Sequence, residues 1–155
     1  MSEPLDFQIL ANLKAALLAI SIAGGYHYDV AAGAVKIDPA TDLDALLAPG
    51  GPRPFYGIEL GTDSKEYYPS DQMKVTRQFK VFVVHDSDPA DDDDFMRVHL
   101  RCCADVEKAV RADASRGGIA METLITNATF VTLYAPKVWT EVDLDVTLYR
   151  TNGQP

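Results

Sequence analysis

The spacing of apolar residues divides the chain into helical and extended stretches. Leu5, Ile9, Leu13, Leu17 and Ile20 recur every three or four positions, and Leu10 and Ala16 widen the stripe. That spacing predicts an amphipathic helix of about five turns. Ser2, Glu3 and Pro4 ahead of it offer a cap, an acid and a proline for its start, and Gly24-Gly25 ends it. Tyr26, Tyr28 and Val30 then alternate with His27 and Asp29, which predicts a strand over residues 26–30 with a continuation over 34–37. Thr41 reads as the cap of one or two helical turns over 42–47, residues 49–52 as a loop, 55–60 as a strand closed by Gly61, and 62–71 as a polar loop.

Residues 73–84 give the clearest strand: Val75, Arg77, Phe79, Val81 and Val83 share one face, with Thr76, Gln78, Lys80, Phe82 and Val84 on the other. An acid-rich run over 85–94 leads into Phe95, Val98, Cys102, Val106, Ala109 and Val110, the stripe of a second helix that stops at Gly117-Gly118. Residues 128–134 alternate as a strand, 135–137 turn, and 138–149 alternate again. In this last strand Val142, Leu144, Val146 and Leu148 oppose Glu141, Asp143, Asp145 and Thr147. The order is helix, three strands, helix, two strands. Short connections imply a mostly antiparallel sheet of about four to five strands, and two helices with one stripe each cover one of its faces. The expected fold is therefore an α+β two-layer sandwich. Twelve residues of strand span about 40 Å, roughly the diameter of a globule of this size. The long strands thus bend, reach the edge and pair with a neighbouring subunit, or are shorter than the pattern implies.

Composition narrows the classes. The chain has 155 residues, one domain's length, with 47% hydrophobic and 24% charged residues, which excludes disordered, collagen-like and coiled-coil chains. Lys and Arg number 14 and Asp and Glu 23, a net charge of −9. That sign argues against charge-driven binding to duplex DNA or an anionic membrane. No apolar run reaches the roughly 20 residues of a membrane span, and residues 1–4 lack the basic start of a secretory signal.

Candidate chemistry is sparse. No phosphate loop, dinucleotide fingerprint or paired-cysteine metal motif occurs, so no cofactor or metal is expected. Cys102 and Cys103 read as free thiols of a reducing compartment, one buried and one half-exposed. His99 lies at helical spacing from both, a metal or nucleophile–base pair if anything completes it, and a packed helix otherwise. Asp91, Asp92, Asp93 and Asp94 lack the alternation and glycine of a calcium loop; they read first as a solvated helix start, with a Ca²⁺ site or an acidic contact patch as the alternatives. Tyr67 and Tyr68 are either exposed anchors for a partner or folded back on the sheet. Glu141, Asp143 and Asp145 mark a solvent face, or the lining of a channel if subunits turn that face inward.

The order of elements resembles one family. The segment Ile9-Leu10-Ala11-Asn12-Leu13-Lys14-Ala15-Ala16-Leu17 runs through Gly24-Gly25-Tyr26. After it come Gly57-Ile58-Glu59-Leu60-Gly61, the long strand Lys74-Val75-Thr76-Arg77-Gln78-Phe79-Lys80-Val81, a helix, and Val142-Asp143-Leu144-Asp145-Val146-Thr147-Leu148-Tyr149-Arg150. This layout, over nearly the whole chain, is similar to the tail terminator (tail completion) proteins of tailed bacteriophages. The resemblance implies α+β subunits in a hexameric ring that caps the tail tube, ends its polymerisation and joins the head or neck proteins. It implies a virion protein made in the host cytoplasm, without catalytic residues, through which DNA passes without sequence-specific binding. Other head–tail connector or neck proteins lie close to this reading. Two further classes are a small cytoplasmic α+β enzyme or ligand-binding domain using His99 with Cys102 or Cys103, and an acidic inhibitor using the run from Asp86 to Asp94.

Overall fold

The computed structural model describes residues 3–38, 44, 47–68, 70–131 and 136–151. Among them are two α-helices, α1 (Leu5–Leu18) and α2 (Asp94–Arg111), and five strands: β1 (Val35–Ile37), β2 (Phe55–Tyr67), β3 (Gln72–Asp86), β4 (Glu122–Val131) and β5 (Lys137–Thr151). The strands form one sheet in the order β1-β2-β3-β5-β4. All neighbours are antiparallel except β1 and β2. The expected α+β sandwich is the fold, and its five-stranded sheet is mostly antiparallel, with one parallel pair, β1 and β2.

Both helices lie on one face. Ile9, Leu13 and Leu17 of α1 and Val98, Cys102, Val106, Ala109 and Val110 of α2 are buried. They join Val75, Phe79, Val81 and Val83 of β3 and Val142, Leu144, Val146 and Leu148 of β5 in one core. Burial along β5 alternates without a break from Val138 to Leu148, the period of 2 that the sequence carries. The opposite face has a second, smaller core of Phe55, Phe82 and Val84, against which Leu47 and Trp139 pack.

Several boundaries differ from the sequence reading. Residues 26–30 are not a strand. A 3₁₀ turn over Ile22–Gly24, with Ser21 Oγ accepting from Gly24 N at 3.2 Å, precedes them. Tyr26, Tyr28 and Val30 do pack on the core, so the alternation marked the inward side chains. Their backbone bonds run elsewhere, Val30 N to Ile20 O and Tyr28 N to Asp105. The expected continuation at 34–37 is β1.

The expected polar loop over 62–71 is strand as far as Tyr67, paired with Met73–Arg77 of β3. Its residues are exposed on both faces, so no hydrophobic period marks it. β4 starts at Glu122, six residues before the expected 128. A bulge between Ile125 and Asn127 shifts its register and breaks the alternation that would reveal it. The long strands are longer than expected, 15 residues each for β3 and β5. A second bulge, between Leu60 and Asp63 of β2, lies on the same rung: Leu60, Phe79, Leu144 and Ile125 face one another across the sheet. Ser2 and Thr41, expected caps, and the strand residues 132–134 lie outside the described residues.

Candidate functional site

The helix-free face of the sheet carries a band of charged side chains. Alternation places Glu141, Asp143 and Asp145 of β5 there, beside Lys80 and Lys74 of β3, Glu59 and Glu66 of β2 and Glu122 of β4. Alternation puts Asp86 of β3, Lys137 of β5 and Lys36 of β1 on the same face, so among the described residues seven carboxylates face four ammoniums there. Glu141 is the best partnered. It accepts from Lys80 Nζ at 2.7 Å and from Trp139 Nε1 at 3.1 Å. The hydrogen bond to Glu141 holds the Lys80 ammonium above its ordinary pKa. Asp143 and Asp145 line a shallow pocket of about 290 Å³ with Gly61, Gln78, Lys80 and Thr126, where the two bulges meet this face.

At the far end of β2 the two tyrosines part company. Tyr67 is exposed, while Tyr68 meets the Tyr149 ring edge-on at 6.2 Å between centroids. Tyr68 keeps 37% of its surface exposed despite that contact.

The acidic run closes on itself. Asp88 N donates to Asp94 Oδ2 at 2.7 Å, Ala90 N to Asp88 Oδ1 at 2.9 Å, and Asp93 N to Asp91 Oδ1 at 3.0 Å. Arg97 bridges Asp91 and Asp94, and its hydrogen bond lowers the Asp91 carboxyl below the usual range. Asp92 and Asp93 remain exposed. The geometry is that of a helix start held by its own side chains. Among the described residues no three His, Cys, Asp or Glu side chains converge as a metal-holding group.

The histidine–cysteine pairing is real but enclosed. His99 Nε2 lies 3.8 Å from Cys103 Sγ, and His99 Nδ1 lies 2.7 Å from Thr140 Oγ1. His99, Cys102 and Cys103 are all buried, which corrects the expectation of one half-exposed thiol. Cys102 belongs to the apolar stripe of α2 and Cys103 flanks it, so both are covered. Burial lowers the His99 pKa and raises both thiols, Cys102 the more, with Asp105 adding to its shift. A thiol raised this way holds little thiolate at neutral pH and is a poor nucleophile. Both cysteines therefore resist a thiol reagent such as DTNB in the folded protein and react at once in denaturant. Rapid stoichiometric labelling without denaturant would refute the enclosure.

Two polar clusters escaped sequence reasoning. Asp105, buried on α2, accepts from His27 N at 2.9 Å, from Tyr28 N at 3.2 Å and from His27 Nδ1 at 2.8 Å. Asp6 at the start of α1 accepts from Arg77 of β3 at 2.5 Å and from Arg150 of β5 at 2.7 Å. Partners lie 71 to 144 residues apart in these clusters, so no local spacing signals them. Both fasten one element to another. No known protein-family model matches the chain, and no characterised protein is detectably similar to it in sequence.

Proposed function

We propose that the chain is a structural protein of a bacteriophage tail. In this reading it is a tail terminator whose copies form a ring, a hexamer as in the family it resembles, on the head-proximal end of the tail tube. The ring ends tube growth and presents a joining surface to neck proteins, and DNA passes through it. The observation that carries the reading is the helix-free face of the sheet. It is built from strands of up to 15 residues and bears seven carboxylates, Glu141, Asp143 and Asp145 among them, against four ammoniums among the described residues. Turned toward a lumen, such a face offers passing DNA few phosphate contacts, and phosphate neutralisation is what makes DNA stick. The enclosed His99–Cys103 pair gives less support to an enzyme.

The test is native mass measurement and negative-stain imaging of the purified protein, alone and with tail tubes. The expected result is a cyclic oligomer that binds one end of the tube and stops its growth. A protein that stays monomeric at high concentration and leaves tubes bare would overturn the reading. Rings that bind a neck complex but never tubes would move it to a neighbouring connector role.

A further inference from the structure

We infer that the sheet continues from one copy to the next, with the free edge of β4 pairing antiparallel to the free edge of β2 in a neighbouring copy. The inference rests on the ring reading and names the surface that would build the ring. β1 covers β2 only from Tyr56 to Ile58, so the edge of β2 from Glu59 to Tyr67 has no strand partner among the described residues. Among the described residues β4 pairs only with β5, so no strand among them covers its outer edge over ten residues. Unpaired strand edges template the addition of another strand.

Four observations make a second copy the occupant. The first is direction. β3 runs against β2, β5 against β3, and β4 against β5, so β4 runs opposite to β2. Two copies set side by side in the same orientation therefore bring their open edges together antiparallel. The second is composition. β4 contains no proline and no lysine, and its one charge is Glu122 at the end, so it lacks the usual devices that blunt an edge. The third is exposure: Leu60 on the β2 edge and Leu124 on the β4 edge are 48% and 49% exposed, a cost that a neighbour would relieve. The fourth is a seat. Below the end of β1, Leu10, Ile37, Ile58 and Leu60, together with Asp38 and Glu59, line a groove of about 360 Å³ beside the open edge of β2, where an added strand would place an inward side chain. The apolar rung Leu60, Phe79, Leu144 and Ile125 would run on from the Leu60 of one copy to the Ile125 of the next. A contact between two different patches is heterologous and closes into a ring when its rotation permits.

Edge-blocking variants test this without knowledge of the register. Leu60→Lys blocks the β2 edge and Leu124→Lys the β4 edge; both sites are exposed, and circular dichroism and urea unfolding check that each variant folds. Should either fail, Leu60→Asn and Leu124→Asn serve as a milder pair. Native mass spectrometry of the wild type should show a multi-subunit ring, and each variant alone the 16.9 kDa monomer. A mixture of the two variants should give dimers of one copy each, because each retains the edge the other has lost. Dimers of Leu60→Lys alone would mean that β4 pairs with β4, and would overturn the proposal. So would variants that assemble like the wild type. A wild type that never leaves the monomer removes the ring reading itself, a different outcome from rings that ignore both edges.

Discussion

Replacing Asp105 by alanine should lower the stability of the subunit by about 2–4 kcal/mol. The Asp105 side chain is 2% exposed, and it satisfies the backbone N–H groups of His27 and Tyr28 as well as the His27 ring. Those N–H groups belong to a segment that makes no strand, so no ladder partner replaces the carboxylate. Truncation leaves donors unpaired, which costs more than a hydrogen bond contributes when made. It also frees the segment from α2. Tyr28 then loses its hold against the core and against His85, whose ring lies 4.4 Å from its own. With a denaturant slope of about 1–3 kcal/mol per molar, the urea midpoint should fall by about 1–2 M. Asp105→Asn keeps one acceptor oxygen and should lose roughly half as much. His27→Ala removes only the half-exposed ring contact and should cost under about 1 kcal/mol. If Asp105→Ala unfolds within 0.5 M of the wild type, the carboxylate does not fasten the segment.

This cluster shows where sequence legibility stops. α2 could be read because Val98, Cys102, Val106 and Val110 repeat at helical spacing and bury one stripe. β5 could be read because its even-numbered residues face the helices and its odd-numbered ones do not. In both, a periodic boundary between core and solvent writes itself into composition. Where that boundary is missing, the signal is missing. The outer half of β2 is solvated on both faces, so residues 62–67 look like a loop although they pair with β3. In β4 the bulge at Thr126 changes which parity faces inward: Thr123 and Ile125 before it, Ala128 and Phe130 after it. Tyr26, Tyr28 and Val30 mimic a strand because inward side chains alternate there too, while Asp105 takes the hydrogen bonds. The acids of the candidate site were legible as a stripe. Their pairing with Lys80 and Trp139 was not, since it depends on which strand lies beside which.

Gly57→Ala should cost about 1–3 kcal/mol, the range of an overpacked core, although alanine is ordinarily no worse than glycine in a strand. The Phe82 ring lies directly over Gly57: a Cβ there would sit 2.1 Å from Phe82 Cζ and 2.3 Å from Cε1. The ring has no room to retreat. It is buried, stacked on Trp139 at 4.6 Å with an angle of 11°, and tilted against Phe55 at 6.2 Å. Pushing Phe82 moves Trp139, whose Nε1 donates to Glu141, and Glu141 in turn holds Lys80. One methyl on β2 is thereby felt at the acidic face on β5. Trp139 is the only tryptophan of the chain, so its fluorescence reports the displacement directly. Emission should shift in Gly57→Ala, and the urea midpoint should fall. Adding Phe82→Leu to that background should cost less than Phe82→Leu costs alone, because the smaller side chain removes the collision. Additive losses in the double variant, or a Gly57→Ala protein with unmoved emission and midpoint, would show that the ring yields freely. The coupling from β2 to the acidic face would then be absent.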